Sequence, residues 1–152
     1  MPVAPEPASP STSKLGLAYE YKLVNLLAKV QSDPEFERLN PIKYVPALVD
    51  GDTVIADSLA ILLYLEDMYP RHSLLPQDPK KRALNIQIAS IVGSSIQPLQ
   101  NYPVLNFIGE KLDSNEAIKW TQHHRGFTAL EKLLKGCNTT YATGNEIQLV
   151  CT

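Results

Sequence analysis

The chain has 152 residues, of which 44% are hydrophobic and 20% are charged, and its formal net charge is −2. This provides material for one good hydrophobic core or two small ones. The charge balance offers no basic surface for nucleic acid, and no apolar run approaches the roughly 18 to 20 residues of a membrane span. A secretory signal pattern is also missing, so we expect a cytoplasmic protein without nucleic-acid or membrane partners.

Residues 1–14 read MPVAPEPASPSTSK, with proline at positions 2, 5, 7 and 10. Proline removes a backbone donor and clashes with a helix interior, so this composition cannot make a central strand or a helix. The pattern predicts a flexible, largely extended tail.

A short helix and a hairpin are expected next. Asp33-Pro34 opens a helix through Leu39, because proline suits a first turn. Ala47 to Val49 and Thr53 to Ile55 then indicate two strands around the turn Asp50-Gly51-Asp52, where glycine can adopt a positive φ. The Val45-Pro46 bond is of the X-Pro type, so it can be cis or trans, and the residues alone leave this open.

Asp57 and Ser58 stand at the start of an apolar helix that Pro70 stops. The first N–H groups of a helix have no intrahelical acceptors and carry partial positive charge, so they attract a carboxylate. The serine can cap the helix or bind an anion directly, and the residues alone favour a purely structural cap.

Residues 70–79, PRHSLLPQDP, are expected to link a unit at 15–69 to a helical unit at 80–152, with Leu74 and Leu75 docked. A helix is predicted from Lys80 to about Gln97, where Pro98 breaks or kinks it. The bend from Gln97 to Pro103 presents polar groups, among them Asn101. These groups can cap the bend or contact a ligand.

A last long helix is expected to begin at Ser114 and to end at Gly136. Trp120 and Phe127 share one apolar stripe, which favours the core over a ligand platform. No metal site is expected, because the cysteines and histidines have neither the number nor the spacing of a ligand set: Cys137, Cys151, His72, His123 and His124.

The segment NPIKYVPALVDGDTVIADSLAILLYLEDMYP, with LLPQDPKKRA and IQPLQN after it, resembles the zeta-class glutathione S-transferases, which include maleylacetoacetate isomerase. The similarity runs from about Leu15 to about Leu149. The Val-Pro, hairpin and Asp-Ser unit is shared by many glutathione transferases, whereas IQPLQN and ATGNEI are close to zeta-class signatures.

The resemblance implies an α+β fold, in which a thioredoxin-like domain that holds glutathione precedes an all-α domain. The Val45 backbone would pair with the cysteinyl unit of glutathione, as a strand pairs with a sheet edge. Asp57 and Ser58 would hold the γ-glutamyl end. Three polar side chains would complete the site: Gln31, Gln97 and Asn101.

The sequence departs from the family at both ends. The Ser-Ser-Cys motif, whose serine stabilises the glutathione thiolate, has no match, so no catalytic residue is assigned. The first strand and helix of the thioredoxin-like domain are expected to be missing, which leaves Tyr19 to Val24 without a parallel partner. The helical domain is expected to be truncated after ATGNEIQLVCT.

Two functions remain open. The resemblance implies glutathione-dependent cis-trans isomerisation of maleylacetoacetate in tyrosine and phenylalanine catabolism, by transient thiolate addition, rotation and elimination, with transferase side activity. Its partners would be glutathione and a small electrophilic or unsaturated acid. The alternative is a catalytically silent form that binds glutathione weakly or pairs with a full-length subunit; a homodimer is also possible.

Overall fold

The computed structural model describes residues 16–26, 28–111, 125–137 and 139–149. The chain divides into two compact units, Met1–Leu74 and Leu75–Thr152. The boundary falls inside the segment expected to be a linker. Leu74 and Leu75 are both buried, as expected for docked side chains.

The first unit combines a hairpin with helices. Its elements are a 3₁₀ turn at Val30–Ser32, helix α1 at Pro34–Leu39, strand β1 at Ala47–Asp50, strand β2 at Thr53–Ala56, helix α2 at Ser58–Met68 and a 3₁₀ turn at Pro70–His72. The two strands are antiparallel, with Ala47 opposite Ala56 and Asp50 opposite Thr53. Gly51 opens the two-residue turn with φ at 58°, a conformation that favours glycine. The predicted helix, hairpin and second helix are therefore confirmed.

The expected strand at Tyr19 to Val24 is wrong. Residues 17–25 form no strand, and the sheet of the described chain contains β1 and β2 alone. Tyr19, Tyr21 and Leu23 are each about half exposed. A strand needs neighbouring backbone for its N–H and C=O groups, and among the described residues this segment belongs to no sheet.

Two carboxylates tie α2 to its surroundings. Asp50, at the end of β1, accepts hydrogen bonds from the hydroxyls of Tyr64 at 3.0 Å and Tyr69 at 2.8 Å. Glu66, which is buried, accepts from the Ser73 hydroxyl at 2.7 Å and from the Leu74 backbone N–H. These bonds hold the hairpin and the end of the unit against one helix.

The second unit contains helices up to Lys135, and its described residues 139–149 are irregular, with one bridge between Tyr141 and Gly144. Its elements are α3 at Pro79–Ile91, a π-helical segment at Val92–Ile96, α4 at Gln97–Gln100, α5 at Tyr102–Lys111 and α6 at Arg125–Lys135. The chain is helical from Pro79 to Gln97, as predicted, but its last turn before Gln97 is π-helical and not α-helical. Pro98 has no N–H to donate to the carbonyl four residues earlier, and its ring crowds that carbonyl. The wider π turn before Pro98 relieves this crowding.

The core of this unit contains Leu75, Ile88, Ile96 and Ala142. The Asn85 amide, which is 0% exposed, donates to the Thr143 hydroxyl and ties α3 to the ATGNEI segment. A β-carbon on Gly126 would lie 2.6 Å from Ile96 Cγ1, so glycine permits this close approach of α6 to the π segment.

Phe127 was predicted to lie in the core, but it is half exposed. The neighbouring Gly126 is buried instead, on the side of α6 that faces Ile96. Several other predictions lie outside the described residues: the tail at 1–14, Ser114, Trp120, His123, His124 and Cys151.

No helix in the described part of the chain is both long and apolar enough to cross a membrane. Within the same ranges, no group of three or more His, Cys, Asp or Glu side chains is placed to hold a metal ion.

Candidate functional site

The first unit places two backbone segments at one end of its hairpin. Because Ala47 pairs with Ala56, the residues just before β1 and just after β2 emerge at the same end. Val45 and Pro46 occupy one side of that end, and Asp57 and Ser58 occupy the other. Sequence reasoning selected these two segments separately, and the strand register brings them together.

Val45 presents its backbone at this end. The Val45-Pro46 bond is cis, which the residues alone left open. Val45 lies outside β1, is 39% exposed, and has no hydrogen-bond partner for its N–H or C=O among the described residues. These two groups are available to an extended ligand that adds to the strand.

Asn40 holds the loop that leads to Val45. Its side-chain Nδ2 donates to the Tyr44 carbonyl at 2.6 Å, and its Oδ1 accepts from the Ile42 N–H at 3.3 Å. Its backbone N–H donates to the Phe36 carbonyl at 2.8 Å, and its carbonyl accepts from the Lys43 N–H at 2.9 Å. This residue was not predicted to have a role, and the signal was an Asn-Pro pair directly after a helix, where asparagine commonly bonds nearby backbone.

Asp57, and not Ser58, is the N-cap of α2. Its Oδ1 accepts from the N–H groups of Leu59 at 3.0 Å and Ala60 at 3.1 Å. Its backbone lies at φ 78° and ψ 126°, a conformation that a residue with a β-carbon rarely adopts. Strained backbone of this kind persists where the surroundings determine it, and it is concentrated at functional sites.

Ser58 is the first residue of α2 and follows the cap. It is exposed, and neither its hydroxyl nor its N–H has a partner in the described ranges. Since Asp57 occupies the next two N–H groups, the hydroxyl and N–H of Ser58 are the donors that remain for an anion. The sequence left open whether Ser58 caps the helix or binds an anion. In the structure the cap is Asp57.

Gln31 lies in the 3₁₀ turn of the same unit. Its Oε1 is buried and has no hydrogen-bond partner among the described residues. A buried amide oxygen without a donor is unfavourable by about 1 to 3 kcal/mol, so a bound donor would relieve it.

Gln97 and Asn101 belong to the second unit. Gln97 is the first residue of α4 and is exposed. Asn101 is the extended residue between α4 and α5, and its carbonyl accepts from the Val104 N–H at 2.9 Å and the Leu105 N–H at 3.0 Å. Both side chains lack partners among the described residues, so each is free to serve either of the predicted roles.

Comparison with known proteins agrees with this fold. The family Glutathione S-transferase, N-terminal domain, matches residues 13–78. A zeta-class glutathione S-transferase of Euphorbia esula is 60% identical over 136 residues, which are 88% of this chain and 60% of that protein. The maleylacetoacetate isomerase of Mus musculus is 42% identical over 139 residues, which are 88% of this chain and 62% of that protein.

Two solved structures extend the comparison to three dimensions. The holo structure of a bacterial maleyl pyruvate isomerase, a zeta-class glutathione S-transferase, matches with a TM-score of 0.83 and 32% identity over 91% of this chain and 68% of that one. The maleylacetoacetate isomerase of Anaeromyxobacter dehalogenans 2CP-1, with glutathione bound in its active site, matches with a TM-score of 0.77 and 34% identity over 91% of this chain and 67% of that one.

The chain belongs to the glutathione S-transferases, a class that its hairpin, capped helix and helical second unit also define. Within that class it belongs to the zeta group, as the motifs IQPLQN and ATGNEI predicted. The chain spans about 60% of the length of the curated relatives that it matches.

Proposed function

We propose that the chain binds glutathione at the end of the hairpin in its first unit. The observation that carries this proposal is the strand register, which places the unpaired backbone of Val45 and the unpaired donors of Ser58 together. The cysteinyl backbone would extend along Val45, and the γ-glutamyl carboxylate would accept from Ser58.

Four further residues have separate roles in the proposed site: Gln31, Asp57, Gln97 and Asn101. Gln31 would supply its buried oxygen to the other end of the tripeptide. Asp57 would act through the helix cap, and its second carboxylate oxygen would face the γ-glutamyl amino group. Gln97 and Asn101 would provide the helical domain's contacts, as the family resemblance implies.

The proposed reaction is glutathione-dependent cis-trans isomerisation of a small unsaturated diacid, with maleylacetoacetate as substrate. The sulfur of glutathione adds to one carbon of the double bond, the resulting single bond rotates, and elimination of the thiolate restores the double bond. Glutathione is regenerated, so the bonds balance without an oxidant or reductant. The relatives named maleylacetoacetate isomerase support this choice, and a cytoplasmic location in aromatic amino-acid catabolism belongs to the same proposal.

A second candidate is a silent chain that binds glutathione weakly or pairs with a full-length subunit. It is favoured by one observation, the absence of a Ser-Ser-Cys segment from these 152 residues. A free thiol is only a few per cent thiolate at neutral pH. Loss of one preorganised stabiliser commonly lowers turnover by about 10² to 10³. Under this second candidate, the isomerase turnover would be less than about one per cent of that of a full-length relative.

Glutathione binding is tested by calorimetric titration of the full chain and of Ser58→Ala. Loss of a charge-assisted hydrogen bond should weaken binding by about tenfold or more. Thr128→Ala, which removes an exposed hydroxyl from α6, is the matched control and should bind like the parent.

A glutathione analogue with its γ-glutamyl α-carboxylate converted to an amide sharpens the assignment. The parent chain should bind this analogue more weakly than glutathione. The Ser58→Ala variant should bind the analogue about as weakly as the parent does, because the variant and the analogue remove the same contact. No measurable binding of glutathione to the parent would overturn the proposed function. Isomerase turnover comparable to that of a full-length relative would overturn the silent alternative.

A further inference from the structure

We infer that Asn40 is a positioning residue of the proposed glutathione site and that it acts through the peptide group between Tyr44 and Val45. This inference rests on the proposed function, because the group it would orient is the Val45 N–H. Asn40 is 2% exposed, and its side chain bonds both ends of the segment from Ile42 to Tyr44.

Peptide planarity is the basis of the inference. The Tyr44 carbonyl and the Val45 N–H belong to one trans peptide group, so they lie in one plane and point in opposite directions. The 2.6 Å bond from Asn40 Nδ2 holds the carbonyl on the buried side. The same bond therefore turns the Val45 N–H to the opposite side, toward the proposed ligand.

Side-chain packing provides little alternative support for this loop. Ile42 is 61% exposed and Tyr44 is 63% exposed, so neither anchors the segment through apolar burial. Lys43 adopts φ at 60°, which a side chain disfavours, and the two side chains of its 2.9 Å ion pair with Glu37 are 39% and 49% exposed. An ion pair exposed to this degree contributes little, so the buried amide of Asn40 is the main side-chain restraint on the loop.

The orientation of the amide also follows from its partners. Nδ2 faces the Tyr44 carbonyl and Oδ1 faces the Ile42 N–H. If the amide were reversed, Oδ1 would face the carbonyl, which is another acceptor, and Nδ2 would face the N–H, which is another donor. Asn40→Asp is the informative variant, because it keeps an acceptor for Ile42 and replaces the donor to Tyr44 with an oxygen.

The test is a glutathione titration followed by calorimetry and by the backbone amide resonances of the ¹⁵N-labelled full chain. In the parent, the Val45 and Ser58 amides should both respond. In Asn40→Asp, the Val45 response should be lost, the Ser58 response should persist, and affinity should fall about tenfold, the effect of one hydrogen bond of about 1.4 kcal/mol. A merely structural role would change both responses together.

The matched control is Asn25→Asp. Asn25 is exposed in the same unit, and its Oδ1 accepts from the Ala28 N–H at 3.1 Å, a bond that an aspartate retains. This variant should bind glutathione like the parent. If the parent itself does not respond to glutathione, the proposed function fails before Asn40 is tested. If the parent responds and Asn40→Asp shows an unchanged affinity and Val45 response, the inference about Asn40 is overturned.

If Asn40→Asp does not fold, a measurement on the unaltered chain still tests whether Asn40 positions the Val45 N–H. The side-chain amide resonances of Asn40 should exchange slowly with water and should move with the Val45 amide during the titration. If they remain stationary while the Val45 amide moves, Asn40 does not position the Val45 N–H.

Discussion

The hydroxyl of Tyr69 donates a 2.8 Å hydrogen bond to Oδ2 of Asp50, and so joins the last residue of β1 to the residue that follows α2. Tyr64 donates to the same oxygen at 3.0 Å. One carboxylate thus fixes the hairpin to both the middle and the end of the helix. The proposed site depends on this attachment, because the other end of the same hairpin carries Val45 and Ser58.

The first prediction concerns alkaline pH. Burial and the hydrogen bond to Asp50 raise the pKa of Tyr64 above 10.0, and the hydrogen bond to Asp50 and burial raise the pKa of Tyr69 in the same direction. The unfolded chain therefore releases these protons first as pH rises. Their contribution to stability is complete below pH 10.0 and is lost as pH rises through the higher folded-state pKa values.

Urea unfolding between about pH 8 and pH 11 checks this sign. The Tyr64→Phe, Tyr69→Phe double variant should lose less stability across this range than the parent does. Tyr141→Phe serves as a control, since the hydroxyl of Tyr141 is not bonded to Asp50. Equal pH slopes for parent and double variant would contradict the prediction.

The second prediction separates the two possible parts played by Asp57. Asp57→Ala should lower the free energy of unfolding by about 0.5 to 2 kcal/mol through loss of the cap. Asp57→Asn should retain most of that stability, because its amide oxygen can accept the same bonds. Asp57→Gly should lie between them, since glycine relieves the positive φ of 78°.

Thermal melts rank these three variants, and glutathione titration of Asp57→Asn adds the functional test. Unchanged stability with weakened binding would assign a direct ligand contact to the carboxylate. Unchanged stability and binding would leave Asp57 as a cap alone, contrary to its proposed contact with the γ-glutamyl amino group.

The third prediction concerns the packing of α6 on the π segment. In Gly126→Ala the new methyl group would meet Ile96 Cγ1 at 2.6 Å and Cδ1 at 3.2 Å. Overpacking of this kind lowers stability by about 1 to 3 kcal/mol. Ile96 directly precedes Gln97, so the variant should also disturb the start of α4.

Gly109→Ala is the matched control for Gly126→Ala. Gly109 is also helical, but a β-carbon there would have no atom within 4 Å. Alanine should be neutral there or should stabilise by up to about 1 kcal/mol. Chemical denaturation compares the two variants, and an equal loss of stability in both would contradict the packing argument.

The fourth prediction tests the buried bond between Asn85 and Thr143. Thr143→Val keeps the shape of the side chain but removes the acceptor from a fully buried amide, so stability should fall by about 1 to 3 kcal/mol. Thr140→Val is its control on the same loop, where the exposed hydroxyl donates to Asn145 at 3.3 Å. A change within about 0.5 kcal/mol is expected for the control, and denaturant unfolding of both variants measures the difference.

The sequence by itself determined the local elements and the family. Pro34, the Gly51 turn and the apolar run after Ser58 located α1, the hairpin and α2, because each acts through the backbone of its own few residues. The zeta-class resemblance and the choice of Val45 and Ser58 came from contiguous motifs, which require no knowledge of packing.

The tertiary structure decided what depends on partners distant in sequence or on competition between nearby groups. Asp57 displaced Ser58 as the cap, and Pro98 was accommodated by a π turn that begins several residues earlier. The family resemblance placed a strand at Tyr19 to Val24, but this segment joins no sheet among the described residues. Strand pairing and burial are cooperative properties of several segments. The Asn-Pro pair at Asn40 could indicate local backbone bonding, but the burial of its side chain and its bond to the Tyr44 carbonyl became visible only in the fold.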